Sequence, residues 1–239
     1  MDRKILITND DGIEADGLRR LAACASKFGE IWVVAPHDQR SAASHSITLR
    51  KSFEVHPYDL HIPGVHAFTC TGTPADCVRI GKLNVMPSFP DVVMSGINYG
   101  YNVAADIQYS ATLGAAFEAE FQKIKAIAFS ENFGDDHSVT DRYLDELMAQ
   151  MLEKEYEPGY VWNVNFPGCP LSECRGILYD RKVSRLSFFD DRYKVEEMLP
   201  DGGMLVKVDG IYSPKSEEGT DYGAILSNYV SVGKVRNIS

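Results

Sequence analysis

The chain of 239 residues has no apolar run near the roughly 18 residues that a membrane-spanning helix needs. Its opening Met-Asp-Arg-Lys passes straight into Ile5-Leu6-Ile7, without the apolar region of a secretion signal. Cysteine is sparse. The five thiols, Cys24, Cys70, Cys77, Cys169 and Cys174, are odd in number and scattered, and no Cys-x-x-Cys pair exists. That excludes a thiolate zinc site of ordinary spacing and gives the expectation of free thiols in the cytoplasm. Positive charge is short as well: 24 Lys and Arg stand against 34 Asp and Glu, a net charge of −10. Binding to a nucleic-acid polymer rests on cations neutralising phosphates, so that class of partner is disfavoured. A small anionic substrate stays open, because a bound divalent ion reverses the local field. There is no Gly-x-x-x-x-Gly-Lys-Ser/Thr, no Gly-x-Gly-x-x-Gly and no Gly-x-Ser-x-Gly. These absences remove the usual routes to nucleoside triphosphate binding, dinucleotide binding and serine-hydrolase chemistry.

What is present is an alternation of short apolar runs with helical periods. Ile5–Thr8 and Ile31–Ala35 read as strands, with a helix between them marked by Leu18, Leu21, Ala22 and Ala25 and ended at Gly29. Residues 47–56 and 65–71 read as paired strands, and Pro74–Leu83 as a helix with proline in its first turn. Asp91–Ser95, Ala126–Ser130 and Val161–Phe166 read as buried strands; Thr112–Lys123 and Ser138–Leu152 read as helices. Strands separated in this way imply right-handed crossovers and a mostly parallel sheet. The texture changes after Pro167, where helices are hard to find. The reading is therefore a Rossmann-like core over 1–170 and an extended, partly β segment over 171–239, together forming one structural unit.

Chemistry concentrates where strands end. Asn9-Asp10-Asp11-Gly12 follows the first strand, and ligands of open α/β sheets bind outside the carboxyl ends of strands. Two adjacent carboxylates there are hard oxygen ligands suited to a divalent cation. Helix capping or an Asx turn is the competing explanation. Arg40–Ser46 offers small hydroxyl residues, among them Ser41 and Ser44, for a metal or for phosphate oxygens. His45 in that loop is an acid/base candidate or simply a solvated side chain. In Ser95–Asn102, Gly96 and Gly100 permit close backbone approach to a ligand, and Asn98 offers a neutral oxygen. Ser110 and Thr112 open a helix whose N-terminal amides form a natural anion site, although Ser110 is equally a good cap. Thr73 reads as a helix cap and Cys77 as core. Asp135-Asp136-His137 and Asp190-Asp191 read as exposed turns.

Taken in order, Ile5–Gly12, Val33–Leu49, Thr71–Val78, Asp91–Asn98 and Asp106–Glu118 resemble the survival-protein-E (SurE) family of metal-dependent phosphatases acting on nucleoside monophosphates. Gly219-Thr220-Asp221 and Asn228–Val232 resemble its closing segment. The resemblance implies a Rossmann-like sheet flanked by helices, with a C-terminal portion used in dimerisation, and a homodimer or homotetramer. It implies one divalent metal, Mg²⁺ or Mn²⁺, held by Asp10, Asp11, Ser41 and Asn98. It implies a phosphate pocket drawing on Asn9, Asn102, Ser110 and Thr112. Asp10, Asp11 and Asn98 would be catalytic, with Ser41, Ser44 and Gly96 also contributing to substrate binding. Three positions depart from the family pattern. Ala111 stands where glycine follows Tyr-Ser, Ala104 replaces a loop glycine, and Glu14-Ala15-Asp16-Gly17 lacks a common proline. A non-catalytic metal or nucleotide binder is the alternative that these departures raise.

Overall fold

The structure, a computed structural model, describes residues 3–237. In chain order its elements are β1 (Lys4–Thr8), α1 (Asp16–Ala25), β2 (Glu30–Pro36), β3 (Val55–Tyr58), β4 (Val65–Cys70), α2 (Pro74–Ile80), β5 (Val92–Tyr99), α3 (Ala111–Phe121), β6 (Lys125–Glu131), α4 (Ser138–Glu153) and β7 (Tyr160–Phe166). There follow β8 (Ile177–Arg181), β9 (Phe189–Asp190), β10 (Tyr193–Met198), β11 (Met204–Val208), β12 (Ile211–Tyr212), α5 (Asp221–Leu226) and β13 (Val230–Arg236).

Nine strands form one sheet in the order β3-β4-β2-β1-β5-β6-β7-β13-β8. From β4 to β7 every neighbouring pair is parallel. β3 is antiparallel to β4, and β13 is antiparallel to β7. Side chains alternate across β1. Ile5 and Ile7 enter one core with Leu18 and Leu21 of α1 and Leu147 and Met151 of α4. Leu6 enters the other with Val78 of α2 and Leu113 and Ala116 of α3. Burying each such side chain contributes roughly 1.5–3 kcal/mol, and covering both faces is what makes the parallel strands read as continuous apolar runs. This is the mostly parallel α/β sheet expected from the sequence.

Three elements differ from the reading of the sequence. Residues 47–54 are not strand, and β3 begins at Val55. That stretch is held as loop because the Asp76 carboxylate, already closing a capping box with Thr73, also accepts the Thr48 amide at 3.1 Å. Leu49 is left 80% exposed. The helix from Pro74 ends at Ile80 and gives way to a π turn over Gly81–Val85. A Cβ on Gly81 would come within 2.9 Å of Leu6, so this turn is packed on the central strand. In the C-terminal segment, β8 and β13 complete the main sheet, and α5 is a short helix capped by the Thr220 hydroxyl. The β10–β11 hairpin stands out from this frame with all of its strand residues exposed.

Candidate active site

The strand order reverses direction between β1 and β5, and the two segments that follow these strands lie side by side there. Such a switch point is where open α/β sheets bind ligands. Gly12, at φ +103°, turns the chain after β1, and the Asn9 side-chain amide clasps the Gly12 carbonyl at 2.9 Å. The turn places Asp10 inward, 4% exposed, and Asp11 half-buried above it.

Asp10 Oδ1 accepts a 2.6 Å hydrogen bond from the Thr112 hydroxyl. Burial pushes the Asp10 carboxyl up to about 7 from an ordinary 3.8; the Thr112 bond opposes this rise and the neighbouring Asp11 charge adds to it. Asp11 Oδ2 accepts the Tyr99 amide at 2.9 Å, and Oδ1 faces the Gln39 side-chain amide at 3.5 Å. Burial raises the Asp11 carboxyl as well, with the Tyr99 and Gln39 bonds opposing. Among the described residues, neither aspartate forms an ion pair with lysine, arginine or histidine.

The loop after β2 is drawn onto this turn by the Arg40 amide, which donates to the Asp10 carbonyl at 2.7 Å. Gln39 then joins Asp11 to the exposed Ser41, donating to its Oγ at 3.0 Å. Ser44 is spoken for, since its hydroxyl donates to the Gln108 carbonyl at 3.0 Å. Gly114 in α3 makes that docking possible: a Cβ there would sit 2.2 Å from the Ser44 carbonyl. His45 turns to Glu118 at 2.8 Å, and Arg79 meets the same carboxylate at 3.2 Å. This triad pins the loop to α3 well along the helix from Thr112.

From β5, Asn98 turns its Nδ2 to the Gly100 carbonyl at 2.7 Å and leaves Oδ1 as the open acceptor. Gly96 serves packing, because a Cβ would fall 2.3 Å from the Phe129 carbonyl of β6. Asn102 is buried and faces inward. Its Nδ2 donates to Ser130 Oγ at 2.8 Å and to Thr112 Oγ1 at 3.2 Å. Its backbone is held by Asn163 and Asn165 of β7. Asn102 therefore orients Thr112, which in turn orients Asp10. Ser110 caps α3 by accepting the Leu113 amide at 3.0 Å, which leaves its hydroxyl proton free to donate. Ala111 lies outside the left-handed region, so the absent glycine is not required there; Ala104, at φ +59° and ψ −162°, does occupy glycine territory.

The sequence reading overlooked Gln39 and the Asn163-Asn165 pair. Two asparagines inside a strand were the available signal, because that residue type is depleted in strands. It also overlooked a cleft of about 400 Å³ that opens beside Asp11, lined by Tyr99, Glu131, Asp135 and His137 among others.

The donor set suits a hard divalent cation. It offers two carboxylates, one hydroxyl and one amide oxygen. Among the described residues, two neighbouring carboxylates, one buried and one half-buried, lack a cationic side chain, and a buried Asn9 Oδ1 lacks a hydrogen-bond partner; these are polar demands left unmet. Among the described residues no three His, Cys, Asp or Glu converge.

Comparison with known proteins follows the same lines. The 5'-nucleotidase SurE of Clostridium botulinum strain 657 is 35% identical over 236 residues, covering 95% of this chain and 90% of its own. That of Cytophaga hutchinsonii is 36% identical over 235 residues, covering 95% and 88%. The crystal structure of the SurE protein from Aquifex aeolicus superposes with a TM-score of 0.81 at 30% identity, covering 98% of this chain and 94% of that one. The pattern of the survival protein SurE family matches residues 5–187, and the chain belongs to that family.

Proposed function

We propose that this chain is a divalent-metal-dependent phosphatase that hydrolyses nucleoside monophosphates by attack of water on phosphorus. It is a phosphoric monoester hydrolase of the nucleotidase type. The observation that carries the reading is the Asp10–Asp11 pair, buried and half-buried, without an ion-pair partner among the described residues and seated at the switch point beside a helix N-terminus. Relatives named 5'-nucleotidase support it.

Asp10, Asp11, Ser41 and Asn98 are the residues that would hold the cation, magnesium or manganese. Bound there, it supplies Lewis acidity toward a phosphoryl oxygen and acidifies water. The chain's own groups do the rest. Thr112, fixed by Asn102, holds Asp10 in one orientation. Ser110 and the first amides of α3 offer donors to the equatorial phosphoryl oxygens, where charge builds in the transition state. Asn9 holds the turn that carries the two aspartates, and Gly96 lets β5 pack closely on β6. Asp10 or Asp11 orients the attacking water and accepts its proton, and the departing nucleoside oxygen is protonated from solvent.

The reading extends to a homodimer or homotetramer. Tyr193, Val195, Met198, Met204, Val206 and Val208 leave the β10–β11 hairpin with an apolar surface of the kind that marks association sites. It extends also to the cytoplasm, where five unpaired thiols are at home. No helix among the described residues is long and apolar enough to cross a membrane.

Phosphate release from a panel of 5'- and 3'-nucleoside monophosphates, with Mn²⁺ or Mg²⁺ present, tests the function. The expected result is turnover abolished by chelator and by Asp10→Ala. Tight metal binding without release from any monoester would make the chain a non-catalytic binder.

A further inference from the structure

Tyr99 is the residue that the phosphatase reading leaves without a role. Its backbone amide is fixed on Asp11 at 2.9 Å, yet its side chain is 47% exposed. The ring is not loose. Phe133 meets it edge to face, with centroids 4.9 Å apart and planes at 87°. Phe133 is seated in turn over Gly100, where a Cβ would lie 2.9 Å from the Phe133 ring, and remains 50% exposed. Two large aromatic side chains are thus held rigidly in solvent next to a proposed metal carboxylate. A braced aromatic face carries little ordering cost when a flat partner lands on it.

The cleft of about 400 Å³ beside this ring is lined also by Asp11 and Gln39, so it adjoins the proposed metal carboxylates. Its other walls carry Asp16, Glu131 and Asp135. Glu131 is satisfied by Arg20 at 2.7 Å and by the Thr140 hydroxyl at 2.7 Å. Asp11 and Asp135 face the cleft, and no lysine or arginine is among its lining residues, so it does not suit the continuation of a polyphosphate chain. A flat, uncharged group joined to the phosphate through a short linker suits it well.

We propose that Tyr99, braced by Phe133, is the platform on which the nucleobase of the substrate stacks, and that it makes the enzyme prefer purine monophosphates to phosphate esters lacking a base. The proposal rests on the nucleotidase reading of the neighbouring aspartates. Tyr99 is a specificity-determining residue and takes no part in the bond-breaking step.

The test compares kcat/KM for adenosine 5'-monophosphate and ribose 5-phosphate, which carries a hydroxyl in place of the base. Removing a stacking ring costs about tenfold in preference. In Tyr99→Ala the ratio of the two values falls by about tenfold, carried by KM for the adenylate. Tyr99→Phe keeps the ratio, and Phe133→Ala lowers it less than Tyr99→Ala does. An equal loss on both substrates would make Tyr99 a mere support for Asp11, and an unchanged ratio would place the base elsewhere; either result overturns the platform alone. Release of phosphate from neither substrate by the parent protein overturns the nucleotidase reading, and the platform with it.

Discussion

Replacing Asp10 by asparagine separates what this side chain does for the fold from what it does for the site. In the cation-free protein Asp10 is 4% exposed, and burial pushes its carboxyl up to about 7. In the unfolded chain the same group titrates near its ordinary value of ~3.9. Between those two values the folded protein keeps a proton that the unfolded chain has already lost. The stability linked to this group is therefore fully present below about pH 4 and is lost as pH rises through about 7. About three pH units at ~1.36 kcal/mol each amount to ~4 kcal/mol forfeited at pH 8. Asparagine keeps the shape and can still accept the Thr112 hydroxyl, but has no proton to give up. Urea unfolding at pH 8 in chelator is the assay. Asp10→Asn is expected to be more stable than the parent by up to ~4 kcal/mol, with the difference vanishing near pH 4. Millimolar Mn²⁺ stabilises the parent and leaves the variant unmoved. A variant that is less stable than the parent at pH 8 in chelator would refute the account of Asp10 as a strained, unneutralised charge.

Ala104→Gly relieves a non-glycine residue at φ +59°, and the strain of ~1–3 kcal/mol exceeds the entropy cost of glycine by about 1 kcal/mol. Thermal unfolding should rise by about 2–4 °C, read by calorimetry. Thr112→Val removes the hydrogen bond that lowers the Asp10 carboxyl, so the acidic limb of kcat/KM at sub-saturating metal moves up by about one pH unit. Val206→Lys together with Val208→Lys places charge on the exposed face of β11 and should shift sedimentation toward a smaller species. An unchanged sedimentation coefficient would move the association surface away from the hairpin.

Much of the core was legible because its signals are local. Ile5-Leu6-Ile7 and the runs at Val92 and Ala126 carry their burial in their own composition, and Leu144, Leu147, Met148 and Met151 show the helical period outright. Thr73 reads as a cap from sequence and closes a capping box in the structure. What escaped depends on distant partners. The stretch 47–54 alternates well enough for a strand, but the Thr48 amide is taken by Asp76, a residue committed to another element. The six-residue helix at Asp221 is too short to show a period. At the site, Asp10 and Asp11 stood out by their place at a strand end, whereas Ser41 and Asn98 joined them through the family resemblance alone. That Ser44 spends its hydroxyl on Gln108, and that Asn102 faces inward to steady Thr112, were not visible, because a hydroxyl or amide in a loop does not announce its partner.

The position of β13 has a consequence for how the protein is made. It lies between β7 and β8, antiparallel to the first and parallel to the second, so neither neighbour has its full set of main-chain partners without it. On the ribosome β7 emerges long before β13. Through that interval its outer edge presents unpaired amides and carbonyls beside Val161 and Val164, a template on which another nascent chain can dock. Ordered synthesis thus leaves the half-made sheet sticky until residues 230–236 arrive to close it.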